Sequence, residues 1–233
     1  MMSIDTHTLK LGDTSADLRG CWRVLTEQER ERAVRFRKRQ HQNRWIIARA
    51  GMRRLLSDYC STMPARLEFA EEEFGKPVLR DKHSAGRIYF NLSHSGDFAV
   101  LAVGRDGPVG IDIEYCRRNL DFEGVARRFF SKYENDQLSR LSRQQRQSAF
   151  YRCWTRKEAV IKTSGMGLSA ELDTFDVSLN PGAPPAVLRG SHGGVDAAQW
   201  HLNNIVVNEH YEVSIASCNG TPSVVEYHGV YCG

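Results

Sequence analysis

The chain has 233 residues, of which 41% are hydrophobic and 26% charged, as is usual for soluble globular proteins of one large or two small domains. It contains no apolar run near the ~20 residues of a membrane span and no signal-peptide pattern, so we expect neither a membrane protein nor an exported one. The six cysteines form no Cys-x-x-Cys pair. This argues against a zinc site and favours reduced thiols in a cytoplasm.

The positive charge is unevenly distributed along the chain. The net charge is only +4, yet between Arg30 and Arg54 ten Lys or Arg residues stand against one acid, Glu31. A local basic field of this kind favours an anionic partner, such as phosphates, an acidic protein or nucleic acid. The alternative is a solvated helix face.

Helices and strands alternate in the first half. Thr26 and Glu29 have the spacing of a capping box, which predicts a helix from there to about residue 36. Apolar residues at 3.6-residue spacing predict a longer helix over about 42–59. Alternation and turn residues predict an opening strand around Leu9, further strands over 67–71, 88–91 and 98–103, and a tight polar turn over 92–97.

The second half begins after Pro108 with a strand of clean alternation over 109–115. Two helices are predicted over 122–130 and 132–141, followed by a long helix through Trp154 that ends at Gly165. The remaining predicted strands cover 175–179, 186–188, 200–207 and 211–216. No element is predicted for 219–233.

Matches at one offset indicate an internal duplication. Trp45-x-x-Ala-Arg-Ala-x-x-Arg53 aligns with Trp154-x-x-Lys-Glu-Ala-x-x-Lys162, and Pro-Val-Leu79 aligns with Ala-Val-Leu188, both at 109 residues. We therefore predict an α+β fold of two similar subdomains, each a long helix packed on a small antiparallel sheet, with a site between them. The predicted subdomains are residues 1–106 and 107–233.

Three acidic residues are placed to share a cation. Strand alternation sends Asp112 and Glu114 to one face, where two carboxylates repel unless a cation or water lies between them. Glu158 is a third carboxylate, on a helix that could pack against this strand. Oxygen ligands without Cys or His suit Mg²⁺. The alternative for the pair on the strand is a solvent-facing edge.

The helix that carries Glu158 presents an unusual face. Trp154, Glu158 and Lys162 are spaced i, i+4, i+8 and share that face. An ordinary solvated Glu–Lys pair is the alternative. Asn91-Leu-Ser-His-Ser95 and Lys76 offer groups that suit phosphate oxygens, with plain turn roles as the alternative. Nucleophilic catalysis by the Ser-His pair is disfavoured because no G-x-S-x-G elbow is present.

Together these groups predict a Mg²⁺-dependent enzyme that acts on a diphosphate. Two competing hypotheses are a nucleic-acid binder that uses residues 30–54 and a general Mg²⁺-dependent nucleotide hydrolase. The nucleic-acid hypothesis lacks aromatic residues interleaved with the basic ones, and it leaves the three acids unexplained.

The motifs resemble those of the Sfp-type (group II) 4′-phosphopantetheinyl transferases. The family's G-[IV]-D-[IVL]-E strand and W-x-x-K-E-A-x-x-K helix are present at 110–114 and 154–162, its Gly-Lys-Pro at 75–77 and its Asn-x-Ser-His-Ser at 91–95. The resemblance covers about residues 25–180. It implies the fold of that family and the transfer of the 4′-phosphopantetheine arm of coenzyme A to a serine of an apo carrier protein, with release of 3′,5′-ADP.

The resemblance also implies a role for each matching residue. Asp112, Glu114 and Glu158 would hold Mg²⁺, or Mn²⁺, with the diphosphate. Glu158 or a metal-bound water would take the serine proton. Lys162 would stabilise the departing phosphate, and Lys157 would hold coenzyme A. Asp112 and Lys162 count among both the catalytic and the coenzyme A-binding residues. The residues implied at the nucleotide end of coenzyme A are Arg32, Lys76, Asn91, Leu92, Ser93 and His94.

The implied partners are coenzyme A and an apo acyl, peptidyl or aryl carrier protein that presents an acidic helix. Neither nucleic acid nor a membrane is implied, and the protein would be a cytoplasmic monomer with an internal pseudo-twofold. The basic first half, Arg117 with Arg118, and the segment 122–130 are predicted docking surfaces because their charge complements an acidic helix.

Overall fold

The computed structural model of the protein describes residues 2–12, 17–72, 75–80, 87–117, 119–165, 167, 171–192, 195–218 and 222–228. Within them the helices are α1 (Leu18–Arg23), α2 (Glu27–Val34), α3 (Arg39–Cys60), α4 (Phe122–Phe129), α5 (Lys132–Arg140) and α6 (Arg143–Ser164). The strands are β1 (Met2–Lys10), β2 (Phe69–Glu71), β3 (Pro77–Leu79), β4 (Tyr89–Ser95), β5 (Phe98–Gly104), β6 (Val109–Tyr115), β7 (Phe175–Val177), β8 (Val187–His192), β9 (Val195–Asp196), β10 (Trp200–Asn204), β11 (Tyr211–Cys218) and β12 (Pro222–His228). No helix in this part of the chain is long and apolar enough to span a membrane.

The two halves share one topology. The first half contains the antiparallel strands β1-β5-β4 in that order, and the second contains β6-β11-β10. In both, a helix of 22 residues and a short hairpin come between the first strand of the half and the last two. The hairpins are β2–β3 and β7–β8. The predicted duplicated α+β fold is thereby confirmed.

The first-half sheet gains a strand that was not predicted from the sequence. β12 pairs in parallel with β1, from Met2 opposite Pro222 to Thr8 opposite His228. The full order of this sheet is therefore β12-β1-β5-β4. An element that follows the second half thus joins the sheet of the first half, and the division of the chain at residue 106 stays a prediction.

A shared core lies between the two sheets. Ile4 and Val100 of the first half pack in one buried cluster with Ile111, Ile113 and Val213 of the second. Ile111 and Ile113 are the apolar members of the alternating strand β6, so their burial fixes which face of β6 carries the acids. The other face of β6 is consequently available for Asp112.

The predicted tight turn over 92–97 is wrong for 92–95, which belong to a strand, and correct for 96–97. Strand β4 continues to Ser95, and the chain reverses at Gly96, whose φ of +56° is the left-handed conformation that favours glycine. The segment suggested a turn because it is polar and contains Ser, Gly and Asp, which are common in turns. In the structure, polar and larger residues alternate along a strand with one polar row.

This polar row joins the two sheets. The Asn91 Oδ1 accepts the Ile111 N–H at 2.9 Å, and the Ser95 Oγ accepts the Tyr115 N–H at 3.1 Å. Between these two contacts, the Ser93 Oγ accepts the Ile113 N–H at 3.4 Å. These side chains satisfy the free backbone edge of β6, which a neighbouring strand would otherwise have to pair. β4 is thus held directly against the acid-bearing strand.

Helix α6 lies unusually close to β6 because residue 110 is glycine. A Cβ at Gly110 would lie 2.1 Å from the Ala159 carbonyl oxygen and 2.5 Å from the Thr163 nitrogen. The Thr163 Oγ1 also donates, at 3.1 Å, to the carbonyl oxygen of Ala216, which is on the neighbouring strand β11. The close approach places Glu158 and Lys162 next to Asp112.

We expect Gly110→Ala to lower the free energy of unfolding by about 3 kcal/mol, because the added methyl meets backbone atoms that can move only if the whole helix moves. Urea unfolding measures the loss. Gly51→Ala is the control, since the three atoms nearest to a Cβ there belong to the Leu9 side chain and not to the backbone, the closest at 3.0 Å. An equal loss in the two variants would contradict the close approach of α6 to β6.

Candidate active site

Three carboxyl groups meet where β6 faces α6. Asp112 is 4% exposed and Glu158 is 7% exposed. Burial, followed by the charge of Asp112, raises the pKa of Glu158 to about 7, and the same two causes raise the pKa of Glu114. The acids predicted to share a cation therefore interact electrostatically.

Lys162 supplies the positive charge of this cluster. Its Nζ donates to the Asp112 Oδ1 at 2.5 Å and to the Ser93 Oγ at 3.0 Å. The side chain is 28% exposed, so its ammonium group remains in reach of a ligand. Lys162 also opposes the rise in the pKa of Glu158.

Strand β4 orients the acids through its serines. The Ser93 Oγ donates to the Asp112 Oδ1, and the Ser95 Oγ donates to the Glu114 Oε2, both at 2.9 Å. His94 is exposed at the same edge, and partial desolvation and then the charge of Lys162 lower its pKa. A neutral imidazole beside an ammonium group suits an anionic ligand.

The donor set fits a hard divalent cation. Among the described residues the buried Asp112 Oδ2 has no hydrogen-bond partner, and the charge of Asp112 acts on the carboxyl groups of Glu114 and Glu158. Mg²⁺ takes oxygen ligands and is usually held by one or two carboxylates together with substrate phosphates. No group of three His, Cys, Asp or Glu side chains among the described residues is already arranged to hold a metal ion. The three-carboxylate site therefore stays a prediction.

Comparison with known proteins identifies the family of this chain. Residues 108–216 match the model of the 4′-phosphopantetheinyl transferase superfamily, and residues 13–105 match that of 4′-phosphopantetheinyl transferase, N-terminal. The 4′-phosphopantetheinyl transferase HetI of Nostoc sp. is 33% identical over 218 residues, which cover 93% of this chain and 89% of HetI. The chain belongs to the 4′-phosphopantetheinyl transferase family.

Other similar proteins include further phosphopantetheinyl transferases. AcpT of Escherichia coli is 36% identical over 193 residues, 83% of this chain and 82% of AcpT. Sfp of Bacillus subtilis is 33% identical over 156 residues, 67% of each chain. The solved holo-[acyl-carrier-protein] synthase AcpS of Thermotoga maritima is similar at a TM-score of 0.38 and 20% identity, over 47% of this chain and 61% of AcpS. A likeness that low supports no conclusion.

The position of Lys157 disagrees with the role that the resemblance to phosphopantetheinyl transferases implied. Its side chain is fully buried, and its Nζ lies 2.9 Å from the Glu134 Oε1 and donates to the carbonyl oxygens of Leu172 and Phe175. With three partners inside the second-half core, the ammonium group cannot also reach coenzyme A. Lys157 is therefore left out of the proposed coenzyme A site.

Lys76 joins the two halves. Its Nζ donates to the Lys162 carbonyl oxygen, near the C-terminal end of α6, at 2.6 Å, and lies 3.5 Å from the Val109 carbonyl oxygen. A positive charge at a helix C-terminus interacts favourably with the helix dipole. Burial lowers the pKa of Lys76. In this arrangement the lysine holds the β2–β3 hairpin against the end of α6.

Three other predicted residues also lie outside the cluster. Asn91 is engaged with the backbone of β6, and Leu92 packs against the first-half core. Arg32 is exposed on α2, and its guanidinium lies 5.7 Å from the centroid of the Trp45 ring. The structure therefore brings Ser93 and Lys162 to the acids, places His94 within range of the charge of Lys162, and assigns Asn91 and Leu92 to the framework.

Ser95 was predicted only as part of the Asn-x-Ser-His-Ser segment, and its contact with Glu114 was not predicted from the sequence. Its Oγ donates to Glu114 just as the Ser93 Oγ donates to Asp112. Ser93 and Asp112 each lie two residues earlier on the same two strands. The alternation of Asn91, Ser93 and Ser95 was the available signal, because side chains two apart share a strand face. Treating the segment as a turn concealed it.

Proposed function

We propose that the protein transfers the 4′-phosphopantetheine arm of coenzyme A to a serine of an apo carrier protein and releases 3′,5′-ADP. The observation that supports this most is the convergence of Asp112, Glu158 and Lys162 where the two halves meet, in a chain of the 4′-phosphopantetheinyl transferase family. A carboxylate base beside an ammonium group suits attack by a hydroxyl on a diphosphate.

Glu158 is proposed to take the serine proton. The serine oxygen forms a bond to the phosphorus next to the pantetheine arm, and the bond from that phosphorus to the bridging oxygen of 3′,5′-ADP breaks. In the metal-free site burial raises the pKa of Glu158 to about 7, so this carboxylate accepts a proton more readily than an ordinary one. A bound Mg²⁺ ion would lower that pKa.

Lys162 is proposed to bind the diphosphate and to stabilise the departing phosphate. Its Nζ already holds two acceptors, Asp112 and Ser93, at the edge of the cluster. An ammonium group has three donors, so the third is available for a phosphate oxygen. Placing that donor in advance stabilises charge that develops as the bond breaks.

Mg²⁺ fits the acids of this site. Asp112, Glu114 and Glu158 would hold it, and the unpartnered Asp112 Oδ2 is the oxygen that most needs a cation. When bound, Mg²⁺ neutralises charge on the diphosphate. The serines at 93 and 95 keep the carboxylates of β6 oriented for it.

The test is mass spectrometry of the acceptor. The protein is incubated with coenzyme A, Mg²⁺ and a panel of apo carrier proteins, and each carrier should gain the mass of one phosphopantetheine group. A carrier with its acceptor serine changed to alanine is the control. If no carrier gains this mass, the transferase proposal is wrong, and release of phosphate or nucleotide from coenzyme A would instead indicate a hydrolase.

A further inference from the structure

A groove of about 710 Å³ on the first half takes no part in the proposed mechanism. It lies between α1, the connection from α2 to α3, and the first turns of α3. Leu18, Trp22, Phe36 and Ile46 supply its apolar lining. A lining of this kind suits the apolar side chains of a partner.

The charged residues that line the groove are all basic. They are Arg19, Arg23, Arg37 and Arg39, and each is exposed. None of the four has an ion-pair partner in the described part of the chain. Their charge is therefore available to a ligand that carries negative charge.

The groove is built before any partner arrives. The guanidinium of Arg30, on α2, donates to the carbonyl oxygens of Trp22 and Arg23 at 3.1 and 3.2 Å and so holds α1. The Gln42 side chain, on α3, donates to the Ala33 carbonyl oxygen of α2 at 3.0 Å. Because these bonds fix three helices relative to one another, little ordering is required on binding.

The groove is linked to the end of the molecule that carries the active site. Arg44, next to the lining residue Asn43, forms an ion pair with Asp97 in the β4–β5 turn. Asp97 follows Ser95 by two residues, and Ser95 holds Glu114. The helix that lines the groove is thus joined to the β4–β5 turn by this ion pair.

We propose that this groove, which lies between the segments 18–23, 36–39 and 42–46, is a docking surface for the carrier-protein acceptor. The acceptor would present a face with acidic residues around apolar ones, because the four arginines surround an apolar lining. The inference rests on the proposed function, which supplies the acceptor. The proposed docking surface lies on the first half and does not include Arg117, which was predicted from the sequence to belong to a docking surface. Arg118, predicted together with Arg117, lies outside the described residues.

The test uses Arg19→Glu with Arg39→Glu. Both positions are in the first turn of a helix, where an acid is favourable, so folding should be retained. At low salt the KM for the carrier should rise by about tenfold, while kcat and the KM for coenzyme A stay within twofold of the unmodified enzyme. The difference should shrink at high salt because the lost attraction is screened.

The control carries the same change of charge at the opposite end of α3. Arg66→Glu with Arg105→Glu alters two exposed arginines, one in the turn after α3 and one over the ring of Tyr59. If both double variants change the KM for the carrier equally, the groove is not the docking surface. A rise in the KM for coenzyme A alone would overturn the inference in favour of a nucleotide site. Absence of any transfer by the unmodified enzyme would instead overturn the proposed function, and this inference with it.

Discussion

Glu158→Gln should lower kcat for phosphopantetheine transfer by about 10³-fold, which is within the range lost when a general base is removed. The amide keeps the size of the side chain but cannot accept the serine proton. Glu158 is also one of three acids in the cluster, so weaker binding of Mg²⁺ adds to the loss. The measurement is single-turnover transfer at saturating coenzyme A and carrier.

The same variant should be more stable than the unmodified protein at alkaline pH. The pKa of Glu158 lies near 7 in the folded state, above its ordinary value of 4.5. A carboxyl whose pKa is raised by folding stabilises the protein below about pH 4.5, and that contribution is lost as pH rises towards and through 7. In metal-free buffer the loss is at most about 3 kcal/mol. Glu158→Gln removes this pH dependence, so its melting temperature should exceed that of the unmodified protein at pH 8 but not at pH 5.

Glu212→Gln is the matched control. Glu212 lies opposite Glu114 on the neighbouring strand and also has a pKa raised by burial, but its partner is Arg152. We expect its kcat to stay within about threefold of the unmodified enzyme, because its charge is paired with Arg152 and does not contribute to the pKa shifts of Glu114 and Glu158. Full activity of Glu158→Gln would show that this carboxyl is not the base.

The duplicated layout could be predicted because it leaves a signal in the sequence itself. The offset of 109 residues aligned the two long helices, and the alternation of β6 placed Asp112 and Glu114 on one face. Both signals are local periodicities or direct repeats. The structure adds that the repeat extends to strand order. β5 lies between β1 and β4 in the first half, and β11 lies between β6 and β10 in the second.

The parts that could not be predicted depend on partners far away in sequence. β12 pairs with β1 at a separation of about 220 residues, and Val225 of that strand is 39% exposed, so no clear alternation marks it. The turn predicted over 92–97 began four residues too early for a related reason. Whether a row of Asn and Ser residues forms a loop or a junction depends on β6, which the local pattern does not contain.

The basic stretch of the first half also needed the structure to interpret it. Arg49 and Arg53 align with Glu158 and Lys162 of the second half, and both form ion pairs with Glu29. Arg53 is 2% exposed and also donates to two backbone carbonyl oxygens. The count of basic residues over 30–54 therefore overstates the charge offered to a partner. Equivalent positions of the two helices form an internal ion-pair cluster in one half and the candidate catalytic cluster in the other.

Lys157→Met should destabilise the protein by about 3–5 kcal/mol, which is the usual cost of leaving one member of a buried ion pair without its partner. The substitution removes the ammonium group from the Glu134 carboxylate, from which its Nζ is 2.9 Å away, and from two backbone carbonyl oxygens. Urea unfolding measures the loss. Lys132→Met, at an exposed lysine of α5, is the control and should change stability by less than about 0.5 kcal/mol.

A second substitution identifies the cause of that loss. Glu134→Gln in the Lys157→Met background removes the unpaired charge but keeps an oxygen that can accept the Val177 N–H, which Glu134 accepts at 2.8 Å. Part of the lost stability should return, because removing both charges of a buried pair costs less than removing one. The double variant that remains folded should bind coenzyme A with an unchanged KM. A stable Lys157→Met protein with a raised KM for coenzyme A would instead restore the ligand-binding role implied by the motif, since a lysine that holds a phosphate affects binding and not the core.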